Sequence, residues 1–462
     1  VTAPSGRAPL SIGELTDELY GQIIGPDDAE YETARTVYSG DVDRRPAVIL
    51  RPRNTGQVAR VVALARETGL PLAVRAGGHS GAGYGVCEGG IVLHLAHMRA
   101  LEIDVEARTA WAEAGISVGE YTVAAAEHGL ATGFGDNTQV GVAGITLGGG
   151  IGYLSRKSGM TIDSLLAAEI VTADGELLLV DEHSHPDLFW AIRGGGGNFG
   201  VVTRLKFRLH ELTGVYGGML LTPVTPEILE AFIAEAEAAP EELSTIVNVV
   251  TAPPLPFVPE EYHGKPIILA SMCFAGPSEA GEEVIGRFRA IVPPLADMVR
   301  AIPYPGMFAP VDPRMRPVSV ARNLFIDRVD RATAETIVDR VSTSSAIIAG
   351  AQLRVLGGAL ARVPSDATAF AHRQSRIMAH LTAIYAEPAD RELHEAWAEE
   401  FMAAIRQSDP GSYGNFVVTA SPDQIREALY PGATGERLSQ IKAKYDPANL
   451  FSSNHNILPA IS

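Results

Sequence analysis

The chain has only two cysteines in 462 residues, Cys87 and Cys273, far apart in sequence. That excludes a disulfide framework and a cysteine zinc site, and it fits a reducing cytoplasm. No apolar run is long enough to span a bilayer. The first residues, VTAPSGRAPLSIGEL, have neither a basic start nor an apolar stretch, so no signal peptide is expected. Positive charge is also scarce: 37 Lys and Arg stand against 55 Asp and Glu, a formal net charge of −18. An acidic surface of that kind argues against a nucleic-acid backbone or an anionic membrane as partner. No spacing of His, Cys, Asp and Glu suggests a metal site, and internal repeats and low-complexity segments are absent. His183 and His185 read as solvated residues of a polar turn.

Glycine, by contrast, is abundant, and it is clustered. RAGGHSGAGYG (75–85), VGVAGITLGGGIGYLSRKSGM (140–160) and FWAIRGGGGNFGVVT (189–203) each adjoin a strand-like run. AVIL (47–50) reads as a buried strand, and Asn54 or Thr55 can cap a helix with Val58, Val61, Val62 and Ala65 on one face. Gly69 closes that helix, and LAV (72–74) completes a β-α-β unit ending on the first cluster. GIVLHL is a further strand, Ser117 and Glu120 form a capping box, and Asp174-Gly175 marks a hairpin. One glycine cluster is most simply a tight turn. Three, each beside a strand, point to an extended ligand lying close to backbone.

From about Gly214 the texture changes. Strand-like runs alternate with amphipathic helices, which predicts a sheet with helices on one face. At 462 residues more than one core is expected. The predicted organisation is an N-terminal part over 1–213, a substrate-binding domain over 214–410, and a segment over 411–462 returning to the first part. The fold class is α+β.

RAGGH, LGGGIGYLSRKSGM and PDLFWAIRGGGGNFGVVT, in this order and spacing, resemble the berberine-bridge-enzyme-like flavin oxidases of the vanillyl-alcohol-oxidase superfamily. The resemblance is strong over 41–211. It resumes at GGALARVPSDATAFAHR (357–373) and YDPANLFSSNHNI (445–457). It implies a two-part FAD-binding domain of the PCMH type with an inserted α+β substrate domain, an antiparallel sheet covered by helices. It also implies an oxidase that moves a hydride from a C–OH or C–N centre of a small molecule to FAD, with O₂ as acceptor and H₂O₂ as product. A monomer or homodimer would suit.

The same resemblance assigns site residues. His79 would carry the covalent link to the flavin, with Arg75, Gly77, Gly78, Ser80 and Gly81 around it, the glycines letting backbone N–H groups approach the pyrophosphate. Many relatives have a second, cysteinyl link; Asn137 stands at that position, so a single link is expected. Val140, followed by Gly141, occupies the place said to gate oxygen. Gly148, Gly149, Gly150 and Gly152 would run along the cofactor, Gly200 and Val202 near its adenine end, and Asn454 near the flavin. Arg193 would bond the third glycine cluster internally or touch the cofactor.

Alcohol-oxidising relatives place a tyrosine base in an NY pair, whereas this chain reads YGNFVVT, with Phe416 there. Read as a strand, the segment sends Tyr413 to the face opposite Phe416. His380, Tyr153 and Tyr413 are the remaining catalytic candidates; Arg322 and Asn323 fall on a segment that lines the substrate side in relatives, with a plain surface ion pair as the equal alternative. A nicotinamide-dependent dehydrogenase is disfavoured because GIVLHLAHM lacks the acidic residue its fingerprint needs. A non-catalytic flavin or ligand carrier, or a dehydrogenase with another acceptor, stays open.

Overall fold

Four short strands begin the fold: β1 (Gln22–Ile24), β2 (Val48–Arg51), β3 (Leu72–Arg75) and β4 (Ile91–His94). This computed structural model describes residues 22–254, 256–309, 311–312, 314–418 and 422–461. The N-terminal segment that bears on a signal peptide, and the end of the YGNFVVT run at Thr419, lie outside them. The sheet order is β1-β2-β4-β3, with β4 parallel to both β2 and β3. The two strands of the β-α-β unit are therefore separated by a later strand. The connecting helix, Thr55–Thr68, is capped by the Asn54 side chain, which accepts from Gln57 N at 3.0 Å, and it ends at Gly69 in the left-handed region. Val58, Val61, Val62 and Ala65 are fully buried on its inner face.

Seven more strands follow: β5 (Leu101–Asp104), β6 (Thr109–Glu113), β7 (Leu130–Ala131), β8 (Leu165–Val171), β9 (Leu177–Asp181), β10 (Val201–Arg208) and β11 (His210–Glu211). Five form an antiparallel sheet ordered β5-β6-β10-β8-β9, and β7 pairs with β11. The capping box of Ser117 and Glu120 is formed, and β8 and β9 make the hairpin around Asp174-Gly175.

The last eight strands are β12 (Val215–Pro223), β13 (Leu243–Thr251), β14 (Pro266–Phe274), β15 (Ala296–Asp297), β16 (Arg300–Ile302), β17 (Ser319–Ile326), β18 (Ile348–Val355) and β19 (Ile377–Ile384). They build one antiparallel sheet, ordered β15-β12-β14-β13-β18-β19-β17, with β16 beside β12. Four helices, Pro226–Ala238, Ser278–Ile291, Arg331–Ser342 and Arg391–Ile405, cover one face. Val247, Val249, Leu324, Ala351, Leu353, Ala379 and Leu381 point into that helix-covered core. Strand alternation sends their neighbours Asn248, Asn323, Gln352 and His380 to the other face.

Among the described residues no helix is long and apolar enough to cross a membrane, and no cluster of three or more His, Cys, Asp or Glu could hold a metal. Cys87 and Cys273 are free and buried.

Candidate active site

The three glycine clusters meet at one cleft. It holds about 1650 Å³ of space, open solvent at its mouth included. Its walls are the loop after β3, the 135–148 segment, the 194–202 segment and the C-terminal stretches 413–416 and 451–455. Arg75, Gly77, Gly78, His79 and Ser80 line it. So do Val140, Gly141, Gly148, Gly200, Val202 and Asn454. The first two clusters touch through backbone: a Cβ on Gly77 would collide with Gly141 N, so no side chain fits there.

The other glycines expected beside a ligand lie against protein in this structure. Gly81, Gly149, Gly150 and Gly152 do not line the cleft. A Cβ on Gly150 would strike the Thr161 side chain, and one on Gly152 the Phe134 carbonyl. Asn137 also stays off the wall; its Oδ1 accepts from Gln139 N at 2.9 Å and closes the turn before Val140. Arg193 bonds Phe189 O and Ala367 O, which ties the third cluster to a neighbouring loop. His183 and His185 are exposed.

The imidazole of His79 makes no hydrogen bond among the described residues. Its ring stacks on Tyr38, centroids 4.6 Å apart and planes 22° from parallel. Burial, and secondarily the Arg316 charge, lower its pKa to about 4, so the ring is neutral at pH 7. Arg75 is buried beneath the loop. It donates to Ala34 O and Thr36 O and contacts His94 Nδ1 at 3.3 Å. Desolvation lowers its pKa to about 10.

The tyrosine and histidine candidates are placed differently from one another. Tyr413 and Phe416 are not on opposite faces. Gly414–Phe416 is a single 3₁₀ turn, in which positions three apart eclipse. Their rings lie 5.3 Å apart. The Tyr413 hydroxyl accepts from Gly150 N at 3.0 Å and Ile151 N at 3.2 Å, and Asn415 Nδ2 lies 2.8 Å away. Burial raises its pKa. Tyr413 thus pins the second glycine cluster from the cleft wall, and the N–H bonds it accepts favour the phenolate against burial. Tyr153 lies off the cleft, 5% exposed, packed edge-on to Phe308. Burial raises its pKa far above the usual phenol range.

His380 sits on β19 against Phe416, ring centroids 4.5 Å apart. Burial and then the Arg354 charge lower its pKa to about 4, and its Nδ1 has no hydrogen-bond partner. Arg322 faces the helices rather than the substrate side, paired with Glu399 at 2.7 Å. It follows the alternation of Leu324, which is in the helix-side core. Asn323 lies on the other face, where Oδ1 accepts from Tyr413 N and Ser412 Oγ.

Sequence reasoning missed a polar row on the sheet. Asn248, Gln352, His380 and Asn323 are directly opposed across β13, β18, β19 and β17. Gln352 Nε2 donates to Asn248 Oδ1 at 3.0 Å, and Arg354 Nε donates to Gln352 Oε1 at 2.9 Å. Arg354, nearly fully buried, also donates to Ile151 O and to Asp136 Oδ2, the latter at 2.7 Å. Asp136 lines the cleft. Its neighbours Gly135 and Asn137 read as an ordinary turn, and nothing local in the sequence pairs it with a residue 218 positions away.

Residues 46–181 match the FAD binding domain family and residues 412–458 the berberine and berberine-like family. The (R)-6-hydroxynicotine oxidase of Paenarthrobacter nicotinovorans is 30% identical over 96% of this chain and 97% of that protein. The chain belongs to the berberine-bridge-enzyme-like FAD-linked oxidoreductases. An FAD-linked oxidoreductase of Dictyostelium discoideum is 28% identical, with 97% of each chain covered. The crystal structure of 6-hydroxy-D-nicotine oxidase from Arthrobacter nicotinovorans superposes with a TM-score of 0.86 at 26% identity, covering 96% of this chain and 98% of that one.

The cleft suits FAD on its own chemistry. Glycine backbone lines it at each cluster, the Arg75 charge lies beneath one wall, and Asn454 Oδ1 is buried without a partner while its residue faces the cleft. A dinucleotide needs close backbone approach, a positive charge near its phosphates and hydrogen-bonding groups at its ring.

Proposed function

We propose that this FAD-linked oxidoreductase is an oxidase of a small organic substrate that carries a C–OH or C–N centre, with the flavin held by one covalent bond to His79. When bound, FAD supplies a two-electron acceptor for the hydride of that centre, with O₂ as the final acceptor and H₂O₂ as the product. The observation that carries this reading is His79: neutral, on the wall of a glycine-lined cleft, with no hydrogen bond among the described residues committing either ring nitrogen. Asn137 offers no thiol for a second link. Val140 is small enough to leave room for O₂ beside the cofactor.

The first 213 residues and the segment after 410 would hold the cofactor. The sheet over 214–410 would hold the substrate. In this reading Asp136 takes the proton of the reacting O–H or N–H. It is the carboxylate on the cleft wall, and Arg354 fixes it through a charge-assisted hydrogen bond. His380 stays neutral behind Phe416, off the cleft wall. Phe416 is apolar and excludes water beside them.

The test is flavin absorbance near ~450 nm in oxygen-free protein during titration with a panel of amines, alcohols and sugars. Bleaching by one class, with recovery and peroxide on admitting air, supports the oxidase. Protein that is yellow, reducible by dithionite and bleached by no member of the panel counts against it and favours a carrier. Bleaching that air does not reverse favours a dehydrogenase with another acceptor.

A further inference from the structure

We propose that Tyr38 is a positioning residue for covalent attachment of the flavin: its ring clamps the imidazole of His79 in the orientation from which a ring nitrogen reaches the cofactor. This inference rests on the single-link reading above.

The clamp belongs to a strap. Residues 38–44 lie across the loop that carries His79 and are bonded to it along its length. Tyr38 N donates to Gly78 O at 3.0 Å, and Ser39 Oγ to Gly81 O at 3.1 Å. The Arg44 guanidinium donates to Ala82 O, Gly83 O and Val86 O at 2.7–3.1 Å. These bonds fix the loop backbone, but none of them fixes the imidazole. An imidazole without a hydrogen bond can turn about two side-chain bonds. The Tyr38 stack, at 4.6 Å and 22°, is a contact that restrains the ring itself.

The Tyr38 hydroxyl makes no hydrogen bond among the described residues, so the aromatic face carries the role. Burial keeps the imidazole unprotonated, which leaves a nitrogen lone pair for bonding.

Attachment is an oxidation. An N–C bond forms between the imidazole and the flavin 8α carbon, and one N–H and one C–H are lost. Two protons and two electrons leave, and O₂ accepts them to give H₂O₂. A bond-forming step of this kind depends steeply on alignment; a displacement of about 1 Å can cost on the order of 10²-fold in rate.

The experiment compares wild type, Tyr38→Phe and Tyr38→Leu, each expressed in riboflavin-starved cells and then given FAD in air. Aliquots are acid-precipitated, and the flavin fluorescence of the protein band is followed with time. FAD occupancy after desalting and the melting temperature are measured in parallel. Wild type is expected to become fluorescent. Tyr38→Phe should match it within about 2-fold, and Tyr38→Leu should be about 10- to 100-fold slower at equal FAD occupancy and an unchanged melting temperature.

Equal rates in Tyr38→Leu and wild type overturn the clamp and leave the link intact. Loss of FAD occupancy or of melting temperature in Tyr38→Leu, with normal attachment by the molecules that still bind FAD, assigns Tyr38 a structural role and also overturns it. Wild type that holds FAD but never yields a fluorescent band refutes the single link itself, and the clamp falls with it. The wild-type lane therefore tests the link, and the variant lanes test the clamp.

Discussion

The cleft and the sheet beside it are built by opposite means. The cleft is largely backbone: glycines stripped of side chains, brought together by short strands and tight turns, with His79 among the polar side chains on its wall. The sheet beside it is side chain: a row of Asn248, Gln352, His380 and Asn323 across four strands, behind the cleft wall, with Arg354 reaching from it to Asp136 on that wall. A backbone cradle needs local sequence, so it tolerates little change in its motifs. A cross-strand row needs only register, so each member is an isolated polar residue in its own strand.

The contrast is broken most sharply at Asp136. Asp136→Asn keeps the shape and removes the negative charge. With any substrate from the panel that bleaches wild type, anaerobic stopped-flow should show flavin reduction slowed by about 10² to 10³-fold, while the flavin spectrum stays normal. Arg354→Met should do the same by releasing the carboxylate, with a loss of stability added because Asp136, Gln352 and Ile151 all lose a donor. An Asp136→Asn protein reduced at the wild-type rate would return the search for the base to His380.

The cofactor half has its own buried charge, and it tests whether that half is held as firmly as its motifs suggest. Lys442 and Asp446 are fully buried and bonded at 2.6 Å. Lys442 Nζ also donates to Asn198 O in the third glycine cluster and to Phe451 O. Lys442→Met leaves Asp446 charged and short of a partner, which should cost about 3–5 kcal/mol in denaturant unfolding. FAD affinity should fall with it, since Asn198 and the 451–455 stretch both line the cleft.

What could be read in advance follows the same division. The helix Thr55–Thr68, its Asn54 cap, the capping box at Ser117 and the hairpin at Asp174-Gly175 are local, and local propensity and pattern announce them. The glycine clusters are legible as a cradle, but which glycines line the cleft is not. Gly150 and Gly152 are glycines because Thr161 and the Phe134 carbonyl lie against them, contacts set by the tertiary fold. Strand period would put Tyr413 and Phe416 on opposite faces, but Gly414 and Asn415 turn the segment into a 3₁₀ loop and reverse that relation. The Asp136–Arg354 pair had no local signal at all.

A smaller effect sharpens the comparison through pH. The folded pKa of His380, about 4, lies below the ordinary histidine value of 6.5, because burial disfavours the charged ring. The native state therefore binds fewer protons than the unfolded chain between those values. The contribution is fully present above pH about 6.5. It diminishes as pH falls and is lost below about 4, with a total on the order of 3 kcal/mol. His380→Gln should flatten the acid side of the stability profile by part of that amount, measured as denaturant midpoints from pH 4 to 7.

The smallest expected effect lies far from the cleft, and it separates fold from site. The Asn54 side chain caps the helix Thr55–Thr68 by accepting from Gln57 N. Asn54→Ala should cost about 1 kcal/mol, read as a shift of the urea midpoint. That helix packs Val58, Val61, Val62 and Ala65 into the core beneath β2 and β4 and contributes nothing to the cleft wall. Flavin attachment at His79 should therefore be unchanged at equal occupancy. A cap variant that lost attachment as well would mean that the first sheet transmits strain from its helix to the loop after β3, and that the backbone cradle is less rigid than its close glycine contacts imply.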